Sequence, residues 1–426
     1  FPLITGSFDY WMARGIQGSA KTWQKNLLLL LSLCHSLGSL LYFKYAQFFL
    51  NSWYEILYPG FTAPDLGILL PIGISFYTFR SLSYVLDVWN ENIEAEKNWI
   101  HYLGYLFSFT NLLAGPISRA EEMLPVFRQS SGLTAQLAGE GLFLIIAGLF
   151  KKIVLADYLG VNLVNRVFEN PAAYTGLENL SAMYAYGFQV YNDFSGYSDI
   201  AIGLAMLLGF QLSPNFQEPF KATNITDFWR RWHIPLSSWF NEYLYMPMSF
   251  SLRTWGKTGI LLSILLTFFL SGLWHGANWT YILWGLLHGI ALCWEAITQP
   301  VRRKIAKRNI FGYSFLSSCL TFLFLGMTWV VFRSQNLTQA GVVFQQIFYN
   351  FHGEIVVQWW FSYQKPILVL ILAIVLHFLP TDWKKIIRQE FVKSPWILKV
   401  GFGAVLILIL IQVKSAASIP FVYLQF

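Results

Sequence analysis

Charge is what this sequence has least of. Only 12% of its 426 residues are Asp, Glu, Lys or Arg, against roughly 25% in ordinary soluble domains, so a water-facing surface over most of the chain is excluded. Cysteine is scarcer still. Cys34, Cys293 and Cys319 are scattered through apolar segments, which excludes a disulfide framework and leaves no metal-ligand spacing; no metal site is expected. No Gly-x-Ser-x-Gly elbow frames Ser195, which argues against a serine-hydrolase nucleophile. There is no internal repeat of solenoid period and no low-complexity linker, so residues 1–426 read as one domain. No pair of matching interrupted helices of the inverted-repeat kind is found either, which counts against a transporter. The chain opens on Phe-Pro-Leu-Ile-Thr-Gly without methionine or a basic leader, and the expectation is that an upstream segment, with at least one further span, is missing.

Apolar residues dominate what is there: 55% of the chain is hydrophobic and the mean hydropathy is +0.48. Runs approaching the roughly 20 residues that cross a bilayer recur along its length, about eleven in all. They lie near 27–43, 66–86, 100–117, 136–156, 178–192, 197–212, 258–274, 279–296, 311–332, 366–379 and 397–413. The fold class is therefore all-α, a polytopic membrane protein of about eleven or more spanning or re-entrant helices. The runs 178–192 and 197–212 meet at the polar stretch Tyr191 to Asp199, where a break lining a cavity is expected, since irregular backbone at membrane depth needs protein or water around it. The segment Ala120 to Gly139 reads as a surface loop.

A net charge of +7 could suggest nucleic acid, but the basic residues sit in short loops between apolar runs, as the positive-inside rule requires. Arg302, Arg303, Lys304, Lys307 and Arg308 form one such loop, and Lys384, Lys385, Arg388 and Lys393 another. Both are placed in the cytoplasm, the stretch 334–364 outside, and no nucleic-acid partner is expected. Membrane lipid is.

Two motifs carry chemistry. Asp-Phe-Trp-Arg-Arg-Trp-His (Asp227 to His233) and Ser-Gly-Leu-Trp-His-Gly (Ser271 to Gly276) set two histidines beside polar groups in a chain built for lipid. A proton-exchanging group near the middle of a bilayer is costly unless paired or wet, and marks a functional site by default. A neutral imidazole, with an ordinary pKa of about 6.5, can take a proton from a hydroxyl as that oxygen attacks a thioester. His275 is the candidate base, Trp274 a wall of its site, and Asn278 a donor to a developing oxyanion. Read from the residues alone, His275 is equally a packing histidine bonded to a neighbouring carbonyl, and His233 an interfacial anchor. Arg230 and Arg231 suit the phosphates of a coenzyme A donor, or a lipid headgroup. Asp193, Ser195 and Asp199 could line a cavity, or mark a break between helices.

Leu-Pro-Ile-Gly-Ile-Ser-Phe-Tyr-Thr-Phe (Leu70 to Phe79), Leu-Ala-Gly-Pro-Ile (Leu113 to Ile117), Asp-Phe-Ser-Gly-Tyr-Ser-Asp-Ile-Ala-Ile-Gly (Asp193 to Gly203), Asn-Phe-Gln-Glu-Pro-Phe (Asn215 to Phe220) and the two histidine motifs together resemble the membrane-bound O-acyltransferase superfamily. Their order is similar to that of its bacterial alginate O-acetyltransferase branch, down to the terminal Pro-Phe-Val-Tyr-Leu-Gln-Phe. The chain departs from that pattern at Phe109 to Asn111 and after Pro247, where Gly-Gly is lacking. The resemblance implies helices around a central tunnel, catalysis by His275 with His233 as second histidine, and acetyl-CoA as donor substrate without a tightly bound cofactor. It also implies an exported polysaccharide as acceptor, reached directly or through an extracytoplasmic acetyltransferase partner, and a bacterial inner membrane. Two other functions are weighed beside it: transfer of another acyl group, such as D-alanine from a carrier protein to teichoic acid, and a non-enzymatic transporter.

Overall fold

The computed structural model describes residues 1–110, 115–128, 132–308, 310–413 and Phe421. Asn111, the Leu-Ala of Leu113 to Ile117, and the terminal motif apart from Phe421 lie outside the described residues. Among the described residues the secondary structure is helical throughout, without strands. They gather into two compact units, residues 1–133 with 208–213, and residues 134–207 with 214–426.

The first unit is built on Pro2–Gly18, Thr22–Leu40 and Ile74–Trp89, packed against one another. Thr22–Leu40 continues through a wide-turned π-helical stretch, Leu41–Tyr45, into Ala46–Leu57. A polar knot holds the three main helices. The buried Asp9 carboxylate accepts from Ser32 and Ser36 on the second helix and from Ser81 on the third, at 2.6 to 2.7 Å. Buried charge is tolerated only when fully hydrogen-bonded, and these hydroxyls meet that need. Arg80, also buried, donates to the carbonyls of Leu106 and Tyr105 at the end of Trp99–Leu106.

In the second unit Ala135–Leu149 runs antiparallel to Gly176–Leu207, with backbones close enough that no side chain fits between them. A Cβ on Gly141 would stand 2.7 Å from the Gly203 carbonyl oxygen, and one on Gly148 2.5 Å from that of Gly196. Small residues at such crossings let membrane helices meet face to face. Gly256–His275, Trp279–Ala306 and Tyr313–Arg333 follow as consecutive neighbours. Leu337–Tyr349, Val356–Phe378, Thr381–Lys393 and Trp396–Val413 complete the unit.

Among the described residues, five helical stretches are long and apolar enough to cross a membrane: Thr22–Leu57, Arg253–His275, Trp279–Ala306, Tyr313–Arg333 and Gly353–Phe378, or six if the bent pair Thr381–Lys393 and Trp396–Gln412 counts as one. The eleven apolar runs of the sequence do not all become such helices, for identifiable reasons. In the run 100–117 the helix Trp99–Leu106 ends well short of a span, and 66–86 becomes helical only at Ile74, after Pro71 and a left-handed Gly73. The expected break between 178–192 and 197–212 is absent. Gly176–Leu207 is one helix of 32 residues, because Asn192, Asp193, Ser195 and Ser198 are buried against protein and the backbone has no need to unwind around them. Nor is Ala120 to Gly139 simply a loop: Ala120–Arg128 is helical and a further helix begins at Ala135 behind a Thr134 cap.

Candidate active site

His233 is placed by backbone before side chains. Asn224 caps the short helix Ile225–Trp229, its side chain accepting from Asp227 N at 2.8 Å. Two residues C-terminal to the Arg231 carbonyl, His233 takes φ 44° and ψ 54° and starts the helix Ile234–Phe240, with Pro235 in its first turn. Left-handed backbone is costly for a residue with a Cβ. It is held there by the segment 215–217: Gln217 N donates to Arg231 O and Ile234 N to Asn215 O, each at 2.9 Å. The Asn215 amide is fixed in turn by donating to Ser198 Oγ at 2.7 Å on the Gly176–Leu207 helix. The imidazole is fully buried, edge-on to Phe194 of that helix at 4.7 Å between ring centres.

His275 ends the helix Gly256–His275, and the chain turns at once into Trp279–Ala306. The two helices touch through glycine: a Cβ on Gly272 would meet the Tyr281 carbonyl oxygen at 2.4 Å, and one on Gly285 the Phe268 carbonyl oxygen at 2.3 Å. The close approach that glycine provides here is backbone to backbone. His275 is 3% exposed, walled by Trp284 at 4.9 Å and Phe332 at 5.4 Å between ring centres. Trp274 neighbours both histidines, its ring 5.1 Å from that of His275 and 6.3 Å from that of His233. Two histidines 42 residues apart in sequence thus border the same tryptophan ring.

Beside this wall is a cavity of about 830 Å³. Trp229, Ile234, Phe268 and Ser271 line it on the histidine side, and Arg230, Arg302 and Arg303 also line it. The histidines themselves are not among its lining residues. Their chain neighbours are: Ile234 follows His233, and Ser271 stands one helical turn before His275. Glu295, buried in the same wall, accepts from Ile225 N, Thr226 N and Thr226 Oγ1 at 2.6 to 3.0 Å and pairs with Arg302 at 3.2 Å. It fixes the helix that carries Trp229.

The other residues singled out in the sequence fall elsewhere. Arg231 turns from the cavity to pair with Asp227 at 2.8 Å. Asn278 caps Trp279–Ala306, accepting from Thr280 N at 3.0 Å and donating to Gln335 O at 2.8 Å. Asp193 and Asp199 are ion-paired, to Lys152 at 2.6 Å and Lys151 at 2.7 Å. Both lysines belong to a wide-turned π-helical stretch, Phe150–Asp157, where Lys152 also holds Asp157 at 2.7 Å. Ser195 is buried on the same helix as Asp193. His288 is occupied on both nitrogens: Trp229 Nε1 donates to Nδ1, and Nε2 lies 3.2 Å from Thr328 Oγ1, which itself donates to Leu325 O. That chain fixes a neutral tautomer with the proton on Nε2.

Glu295, Lys151 and Lys152 went unmarked in the sequence. An ionisable residue inside an apolar run is itself a signal, and Glu295 in Ala-Leu-Cys-Trp-Glu-Ala-Ile carries it.

A helical bundle with several helices long and apolar enough to cross a membrane, and two buried histidines next to residues that line a cavity, fits a multi-pass membrane protein with an internal site. Residues 94–332 match the model of MBOAT, the membrane-bound O-acyltransferase family, and the chain belongs to that family. It is 38% identical over 346 residues to the probable alginate O-acetylase AlgI of Pseudomonas aeruginosa, covering 80% of this chain and 64% of the relative. A peptidoglycan O-acetyltransferase of Helicobacter pylori is 34% identical over 367 residues, covering 80% of this chain and 68% of the relative. A teichoic acid D-alanyltransferase of Bacillus subtilis is 29% identical over 250 residues, covering 56% and 62%. The chain therefore spans somewhat less than two thirds of the length of the Pseudomonas relative.

Proposed function

We propose that this chain is an integral-membrane O-acetyltransferase of a bacterial inner membrane, which takes an acetyl group from cytoplasmic acetyl-CoA and passes it toward an exported cell-envelope polysaccharide. The observation that carries this reading is the pair of buried histidines joined by Trp274 beside an 830 Å³ cavity lined by Arg230, Arg302 and Arg303. That volume lies within the roughly 300–1,000 Å³ of small-molecule sites. Guanidinium groups pair with phosphate through two parallel hydrogen bonds, which suits the charged end of coenzyme A, while the apolar inner wall suits its thioester arm. In this account the cavity is the cytoplasmic mouth of a tunnel, and shorter and bent helices complete a set of about eleven membrane elements around it.

His275 takes the proton of the acceptor hydroxyl as its oxygen attacks the thioester carbonyl. The C–S bond then breaks, the new ester keeps the acetyl group, and the departing thiolate of coenzyme A takes a proton back from the imidazolium. His233 is the second histidine of the site, also beside Trp274. The names of the Pseudomonas and Helicobacter relatives point to a glycan hydroxyl as the final acceptor, reached directly or through an extracytoplasmic acetyltransferase partner.

The Bacillus relative favours a second reading, a D-alanyl group from a carrier protein. Purified protein incubated in parallel with labelled acetyl-CoA and with an aminoacylated carrier separates the two. Label leaving acetyl-CoA, and failing to do so when Arg230 and Arg302 are changed to Gln, supports the first. Turnover of the aminoacylated carrier alone overturns it.

A further inference from the structure

A second cavity, of about 1000 Å³, lies between Trp279–Ala306 and Tyr313–Arg333. Both helices are long and apolar enough to span a membrane. Leu287, Ile290, Trp294, Leu320 and Phe324 give it an apolar floor. Ile290, Leu320 and Trp294 are 57, 59 and 65% exposed, so the groove opens sideways, toward the space that lipid chains occupy around a spanning helix. Its other end is polar, with Arg302, Arg303, Tyr313, Ser314 and Ser317.

That end carries an excess of positive charge, with Arg302 and Arg303 against the single carboxylate of Glu295. Arg302 is engaged by Glu295, but Arg303, Lys304, Lys307 and Arg308 stand in a stretch with no Asp or Glu between Glu295 and Glu354. An apolar, laterally open groove ending in unbalanced cations and hydroxyls matches one amphiphile, a lipid with an anionic headgroup. Basic pockets between membrane helices hold such headgroups.

We propose that this groove is a binding site for a single anionic phospholipid, its chains along Ile290, Trp294 and Leu320 and its phosphate on Arg303 beside Tyr313 and Ser314. Asn224, Glu295, Gln299, Arg302 and Arg303 line both this groove and the first cavity, so the lipid lies across the Glu295–Arg302 pair from it. The inference does not depend on which acyl donor the protein uses: with coenzyme A the donor phosphates fall to Arg230 and Arg302, and Arg303 is left to the lipid.

The test uses the full chain in nanodiscs of zwitterionic lipid. The Trp294 contribution to fluorescence, taken as wild type minus Trp294→Phe, is titrated with phosphatidylglycerol or phosphatidylcholine brominated on the chains. One basic residue near a membrane surface contributes enough to make the anionic lipid quench at about fivefold lower mole fraction. Arg303→Gln reduces that preference, Ser317→Trp removes the quenching by filling the groove, and soluble glycerol phosphate does not relieve it in the wild type. Equal quenching by the two lipids in the wild type overturns the proposal, as does relief by glycerol phosphate, which would make the site one for a soluble phosphate. The wild-type comparison decides the matter even where Ser317→Trp fails to fold.

Discussion

His233 is one of four described non-glycine residues held at positive φ. Its φ of 44° and ψ of 54° cost about 1–2 kcal/mol for a side chain with a Cβ, and such strain persists where the surroundings over-determine it, commonly at functional sites. Here the surroundings are the paired backbone of residues 215–217 and the aromatic edge of Phe194. Both His233→Gly and His233→Ala lose the ring contacts, but only glycine relieves the strain. Thermal unfolding should therefore find the glycine variant more stable than the alanine variant by about 1 kcal/mol, with transfer lost in both. The histidine motifs were legible in the sequence because ionisable groups stand out against an apolar background. The roles of Asn278 and Arg231 were not, since one residue can cap, pair or catalyse, and only the neighbours at Gln335 and Asp227 decide which.

At the scale of elements, two helix crossings shape the second unit, one through glycine and one through charge. Gly272 and Gly285 bring Gly256–His275 against Trp279–Ala306 one turn before His275. Gly285→Ala puts a methyl group where the Phe268 carbonyl stands, and overpacking of this kind costs about 1–3 kcal/mol. The variant should stay in the membrane fraction yet lose most transfer, because His275 rides on the displaced helix; an assay with unchanged rate would detach the crossing from the site. The second crossing is electrostatic. Asp193 is buried and paired with Lys152, and removing one partner of a buried pair typically costs about 3–5 kcal/mol, more than removing both. Lys152→Met should lower the unfolding temperature sharply, and Lys152→Met/Asp193→Asn should recover a good part of the loss. Helix existence was readable from the apolar runs, but the continuity of Gly176–Leu207 was not. Its polar stretch looks like a break in one dimension and becomes an interior face only when Phe150–Asp157 brings lysines to it.

Across the second unit, one end collects Gly176 N on Asn350 O at 2.7 Å, Tyr363 Oη on Glu178 at 2.9 Å and Asn278 on Gln335 O at 2.8 Å. These contacts draw on the segment 334–364, which the charge pattern assigns to the outside and which carries no Lys or Arg from Ser334 to Gln364. Trp279–Ala306 starts at this end, and its far end brings Arg302 and Arg303 to the first cavity. Lys221 and Lys384 meet the chain at Leu379 and His377 after Val356–Phe378 has run from that same end. Donor on the basic side and acceptor on the other is thus the direction in which a group-transfer site with these ends would work. Charge asymmetry was readable along the chain. The cavities were not, because each is assembled from segments far apart in the chain, as Asn224 and Arg303 are in the first and Thr223 and Phe324 in the second.

The central claim is that His275 performs the transfer, and the most direct measurement is release of label from acetyl-CoA by purified protein in lipid, wild type beside His275→Ala. The account predicts that the variant folds, still binds acetyl-CoA and loses turnover by about 10²–10⁴-fold, the usual contribution of a general base. A His275→Ala protein that transfers acetyl groups at a near-normal rate would contradict it.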